Sequence, residues 1–381
     1  MPITPAGQLS AWLYLRRNPG RALPVALVIL VSVTLVASVV SIIRSIDLTV
    51  FTMYGYHRHL AFVSPRNALE LRPEIALSVR EDPLATRVFT VRPALLTVRT
   101  VFGKMPFVVL GLSPEATQVV LDRCGVSVYA GRLPADGAPE VAVSEEIARN
   151  LGLRLGSVVL RPGSEDAFAP RPMYLVGLLR GPVWIAVTSE RFVRDTFILS
   201  VESLIAMAAD DGAQRRLERS LSEGLSKAHA RAWTFATLVR ETRDALSSLY
   251  LILNVVITIV VCAIALLAGM LSSIYFRQRL PEMATLAAIG YTRGFLLRRA
   301  LRETVILCVA GWAGGSALTV GLLTGLRAYV LEPRGLLLNP MDPGAFLYAA
   351  PLPLTIGAFA FWSIWAGLRR FDPVSIIERR G

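Results

Sequence analysis

The chain has 381 residues, 54% of them apolar, and a formal net charge of +12. This is too apolar for an ordinary soluble chain, and long enough for membrane segments plus a folded domain. The charge does not mark a nucleic-acid binder. Residues 44–248 hold 25 Lys and Arg against 22 Asp and Glu, while residues 1–21, 277–303 and 369–381 together hold 13 Arg against 4 acids. The excess thus sits beside the apolar runs, where the positive-inside bias puts it.

Residues 1–21 carry Trp12, Leu13 and Leu15 beside Arg16, Arg17 and Arg21, the composition of an amphipathic helix on the inner membrane face. Residues 22–44 read as the first transmembrane helix. A cleaved signal peptide would need a cut near Ala37, but the apolar run continues past it, so a retained anchor is expected. Residues 45–248 read as an α+β domain outside the membrane. The runs LAFVSP, TRVFTV, LLTVRTVF, PFVVLGL, EVAVS, SVVLR and MYLVGLL are β-rich and bounded by Pro, Gly or charge. WIAVTSERFVRD and FILSVESLIAMAA are expected to add two strands. Ser144 to Leu151 reads as a helix with Ser144 as N-cap and Gly152 after its end. A second helix is expected over Gln214–Lys227, and a polar helix from Thr237 is expected to run straight into the second span. No internal repeat is visible.

Residues 249–276, 304–326 and 345–368 are three more apolar runs of spanning length. The expected fold class is an α-helical membrane protein with four transmembrane helices and an α+β extracytoplasmic domain inserted between the first and second. Both termini then lie inside, with the loop 327–344 outside and the tail 369–381 inside. Gly311 and Gly315, and again Gly321 and Gly325, stand four apart in the third run, which lets helices approach closely. That spacing fits packing within one subunit and a seam between two equally well. Pro351 and Pro353 predict a kink in the fourth run.

Between the second and third runs lies RQRLPEMATLAAIGYTRGFLLRRALRE, residues 277–303. Pro281 suits a first helical turn, and Glu282 after it favours a helix N-terminus. Met283, Leu286 and Ile289 fall roughly on one face, Gly290 suits a left-handed C-terminal cap, and Thr292 suits the N-cap of a following helix. A short helix lying along the inner face, built for docking to a partner, is expected here.

Residues for chemistry are sparse. His57 and His59 lack a third ligand nearby and read as surface histidines. Asp210-Asp211, Glu145-Glu146 and Glu165-Asp166 are sequence neighbours, which point apart on a helix or strand and make no acid/base dyad. Cys124, Cys262 and Cys308 form no disulfide framework or metal spacing. No G-x-x-x-x-G-K-[ST] phosphate loop occurs, so the chain is not itself expected to be an enzyme.

The order of one span, an external domain and three spans resembles the FtsX-like and MacB-like permeases of type VII ABC transporters. RRNPGR before the first span, GRLPADGAPEVAVSEEIARNLGLRLGSVVL followed by YLVGLL, RQRLPEMATLAAIGYTR with Glu303 opening the next span, and DPVSIIERR at the end are each similar to that family's sequences. The resemblance implies a permease subunit with no cofactor of its own, paired with a separate ABC ATPase that binds ATP and Mg²⁺. It also implies a permease dimer, homo- or heteromeric, among membrane lipids, with room for a periplasmic adaptor and no nucleic acid. Pro281, Glu282, Met283, Leu286, Ile289 and Gly290 would form the ATPase-coupling segment. Export or extraction of a substrate at the outer membrane face by mechanotransmission would be the function, or, in relatives that move no substrate, signalling to an outside partner.

Overall fold

A computed structural model describes residues 19–100, 103–225 and 228–369. Most of the expected inner-face helix 1–21 and nearly all of the tail 369–381 therefore lie outside the described residues. The chain divides into two units: residues 45–248 with 327–338 form a head, and the remaining helices form a membrane unit.

In the head, helix α1 (Pro19–Met53) ends and a 3₁₀ turn (Gly55–Arg58) leads into β1 (Ala61–Pro65). Helix α2 (Pro73–Arg80) then returns the chain to β2 (Arg87–Thr100). The same sequence of elements recurs near the end of the head: β9 (Ser203–Met207), α6 (Asp211–Gly224) and β10 (Ala230–Trp233). These four strands lie in the order β10-β1-β9-β2, every pair antiparallel. This is a split βαβ fold made of two βαβ halves. Alternation explains it. Ala61, Val63, Leu204 and Ala206 face one core with Ile75 and Val79 of α2 and Leu217 and Leu221 of α6. Phe62, Ile205 and Met207 face the other core.

Between the halves a second sheet is inserted. It comprises β3 (Gly103–Leu112), β4 (Ser127–Gly131), β5 (Glu140–Ser144), β6 (Val158–Leu160), β7 (Met173–Arg180) and β8 (Ala186–Ser189). Helices α3 (Pro114–Arg123), α4 (Glu145–Leu151) and α5 (Glu190–Thr196) connect them. Its order is β3-β8-β5-β7-β4, with parallel pairs at β3/β8 and β5/β7. Strand β2 joins the two sheets. Its first part pairs with β9 as far as Val91, opposite Ser203, and its second part pairs with β3 from Arg92, opposite Gly111. Arg92 marks the switch. Its buried guanidinium donates from Nε to Glu190 at 3.0 Å and from Nη2 to Glu202 at 2.5 Å.

Several expectations change. The expected strands TRVFTV and LLTVRTVF fall on one strand, Arg87–Thr100, because Pro93 takes up extended backbone without ending it. In WIAVTSERFVRD only Ala186–Ser189 is strand, and Ser189 then caps α5 by accepting from the Phe192 N–H. FILSVESLIAMAA is strand only from Ser203, and Ile198 and Leu199 are exposed. Ser144 does not cap α4 with its side chain; its Oγ is engaged by the Ile185 backbone, donating to O at 3.0 Å and accepting from N at 2.8 Å. The polar helix α7 (Phe235–Ala245) stops at Leu246 before the next span begins. The repeat escaped the sequence because residues 103–189 separate its halves.

In the membrane unit, α8 (Ser247–Ala288) and α9 (Arg293–Leu326) are single long helices. Among the described residues, three helices are long and apolar enough to cross a membrane: Leu23–Met53, Ser247–Leu271 and Gly294–Arg334. The fourth run is broken into α10 (Pro343–Ala349) and α11 (Pro351–Arg369), so the proline kink is a full break at Ala350. Val25, Ile29, Val33, Val36 and Val40 of α1 pack with Leu307 and Cys308 of α9 and with Ala345, Ala349, Leu352 and Ile356. Gly311 and Gly315 make that approach close. A Cβ on Gly311 would stand 2.6 Å from Ile29, and one on Gly315 would stand 2.7 Å from the Leu30 carbonyl. Gly321 and Gly325 face open space. Thr34 Oγ1 reaches the Gly315 carbonyl at 3.1 Å, and Arg44 pairs with Asp342, whose side chain caps α10 by accepting from the Gly344 N–H.

Candidate docking turn between the second and third membrane helices

In place of the separate inner-face helix expected over Pro281–Ile289, α8 continues without a break through Pro281 and ends at Ala288. Elongating an existing helix costs little compared with nucleating one, so the apolar span carries the helix through Pro281. The side chains of Pro281, Glu282 and Met283 lie outside the described residues.

The helix ends at Gly290, whose φ of +104° is a conformation that glycine adopts readily. The Tyr291 N–H reaches back to the Leu286 carbonyl at 3.2 Å, closing a Schellman-type cap. Thr292 opens α9, its Oγ1 accepting from the Phe295 N–H at 3.4 Å. Only Ile289 to Thr292 therefore separate two long helices. Ile289 is 71% exposed, and Tyr291 stacks on Phe295 with ring centroids 5.1 Å apart. The turn thus presents Leu286, Ile289, Tyr291 and Phe295, an apolar tip. The aromatic pair was missed in the sequence, although its i, i+4 spacing across a capping threonine was the available signal.

Behind the tip, Leu296 and Ala300 are buried while Arg298 and Arg302 are exposed. Glu303 is buried and lies 3.5 Å from Arg299 one turn earlier. A charge this deep needs a partner, and the pair supplies one at the point where α9 becomes apolar. The Gly311 and Gly315 contacts lie farther along α9, apart from the turn.

The candidate chemistry elsewhere has structural roles. His57 is buried, not at the surface as expected. It packs against Tyr56 and Phe62 at 4.4 and 4.5 Å, and burial pushes its pKa down to about 3. His59 pairs with Asp211 at 3.2 Å. Asp210 caps α6, and the Ala213 and Gly212 N–H groups hold its carboxyl below its usual range. Glu145 pairs with Arg180 at 2.7 Å and Asp166 with Lys104 at 2.5 Å. Among the described residues no group of three or more His, Cys, Asp or Glu could hold a metal ion.

Long apolar helices, an α/β head between the first and second, and a capped apolar turn between the second and third mark a membrane protein. Residues 254–373, from within α8 to past α11, match the model of the FtsX-like permease C-terminal family. No curated protein matches the sequence. Among solved structures, the periplasmic region of MacB from Actinobacillus actinomycetemcomitans is similar at 14% identity and a TM-score of 0.31, covering 49% of this chain and 92% of that one. The extracellular domain of the noncanonical ABC-type transporter YknZ from Gram-positive bacteria is similar at 14% identity and a TM-score of 0.30, covering 46% of this chain and 99% of that one.

Proposed function

We propose that this chain is the membrane subunit of an ABC transporter, and that the turn at Leu286–Phe295 docks into a separate ATPase subunit. The supporting observation is the exposed apolar tip, held by two caps on rigid helices, within the segment of permease family resemblance. ATP and Mg²⁺ belong to the ATPase. In this reading the ATPase subunits close on nucleotide, α8 and α9 move as levers, and the head handles a substrate at the outer face without a central pore. The chain works as a dimer in the bacterial inner membrane with both termini cytoplasmic. The lipid-facing character of α8, where Leu251, Ile259 and Leu267 are all more than 60% exposed, leaves a surface for lipid or a second subunit.

The test is to replace Leu286 and Ile289 together by Asp and to co-purify the full chain with a co-expressed ATPase subunit. Capture of the ATPase is expected to fall at least tenfold, since two apolar anchors contribute well over the roughly 1.4 kcal/mol that tenfold represents. Undiminished capture and membrane-stimulated ATP hydrolysis would remove the turn from this role.

A further inference from the structure

In the head, a cleft of about 360 Å³ opens between the β2–β3 hairpin and the loops around β6. Its apolar side is Leu96, Leu151, Leu153 and Val158, and its polar side carries three cations, Arg99, Lys104 and Arg161. Arg99 and Lys104 stand directly opposite each other across the hairpin. Like charges in that register repel and weaken strand pairing, so a hairpin that keeps them gains from an anion between them. Asp166 answers Lys104 at 2.5 Å. Arg99 and Arg161 have no carboxylate partner among the described residues. The backbone around Arg99 is fixed: the buried Asn150 side chain accepts from the Arg99 N–H and donates to its carbonyl, each at 2.8 Å. The cationic edge is therefore built on a held strand, beside an apolar wall.

We propose that this cleft binds the anionic head of an amphiphile, a phosphate or carboxylate joined to an apolar chain. Arg99 and Arg161 hold the anion, Lys104 shares it with Asp166, and Leu153 and Val158 cover the first part of the chain. The proposal does not depend on the transporter reading, and it concerns the head alone. A guanidinium matches two oxygens of a phosphate or carboxylate at once, which favours these groups over a simple halide.

The experiment uses the full chain in phosphatidylcholine nanodiscs and follows hydrogen exchange of the β2–β3 hairpin and of residues 153–167. The probes are dihexanoyl phosphatidic acid, inorganic phosphate and dihexanoyl phosphatidylcholine. The phosphatidic acid is expected to protect both segments in a saturable way. R99Q with R161Q should weaken it by roughly tenfold or more, and D166N should tighten it by removing a competing carboxylate. Both arginines are exposed, so their replacement leaves the fold intact, and the unchanged exchange of α6 checks this. Equal binding of inorganic phosphate would overturn the role of the chain and leave a plain phosphate site. Equal binding of phosphatidylcholine, or protection unchanged in R99Q/R161Q, would overturn the role of the cations. Absence of protection by any probe would overturn the site.

Discussion

The head and the membrane unit are built from similar apolar residues but satisfy them differently. In the head, β1 and β9 are buried on both faces, and side chains such as Val63, Ile205 and Leu217 have no measurable exposure. In the membrane unit none of the 18 most apolar consecutive residues of α8 is buried, against 39% of those of α1 and 22% of those of α9. In water each Å² of that exposed surface would cost about 25 cal/mol, whereas lipid chains are as apolar as leucine. An uncovered helix is thus stable in one solvent and not in the other. The two units therefore rely on different forces. The head is held by apolar burial with buried polar groups paired inside it. The membrane unit is held by close approach at small residues and by a few hydrogen bonds and ion pairs at its ends.

The largest effect that would break this contrast lies in the head. Arg92→Ala removes the cation between Glu190 and Glu202 and leaves two half-buried carboxylates facing each other where the two sheets meet. Loss of one partner of such a buried group costs about 3–5 kcal/mol. The denaturant midpoint of the detergent-solubilised chain should fall accordingly, and Arg92→Lys should recover only part of it, because one ammonium cannot reach both acids and Ser200. A midpoint unchanged in Arg92→Ala would mean that apolar packing alone holds the sheets together.

In the membrane unit the sharper test uses the two glycine pairs. Gly315→Val would drive a side chain into Leu30 and Val33, while Gly321→Val meets open space. Overpacking of this kind costs about 1–3 kcal/mol. Thermal unfolding in nanodiscs should therefore drop for Gly315→Val and stay unchanged for Gly321→Val in the single subunit. If both variants lose stability alike, the second pair is also packed, and the seam then lies on another copy of the chain.

How much of this was legible depends on where the signal is local. Apolar runs in α1, α8 and α9 announce themselves because lipid demands continuous hydrophobicity. So do Gly290 and Thr292, since a left-handed cap and an N-cap are set by one residue each. The continuity of α8 through Pro281 was not legible, because a proline reads the same at the first turn of a new helix and within an old one. Nor was the two-part head. Its βαβ halves are brought together by pairing of β9 with both β1 and β2, across an insertion that carries its own sheet. Ser189 and Ser144 show the same limit. Both precede a helix after a strand, yet Ser189 caps its helix and Ser144 bonds to Ile185, a choice made by a neighbouring strand. The candidate site was half visible: its caps and Ile289 could be read, whereas the Tyr291–Phe295 stack becomes plain only once the two helices are known to be nearly abutting.

The smallest effect per step is a pH dependence that belongs to the head alone. His57 is buried among Tyr56 and Phe62, and desolvation pushes its pKa from 6.5 down to about 3. Above pH 6.5 both the folded and the unfolded chain leave this imidazole neutral, and it adds no pH dependence. Between 6.5 and about 3 the unfolded chain takes up a proton that the folded chain refuses, so stability falls as the pH falls. The slope from this one group approaches about 1.4 kcal/mol per pH unit. Carboxylates titrate in the lower part of the same window, so the measurement is a difference between two variants. His57→Phe keeps an aromatic ring in the cluster and removes the proton site. Unfolding midpoints of the variant should decline less steeply than those of the parent between pH 6.5 and 4, while above pH 6.5 the two keep a constant offset. Parallel curves would show that the imidazole reaches solvent readily in the folded head, which would contradict the dense burial that separates this unit from the open surface of α8.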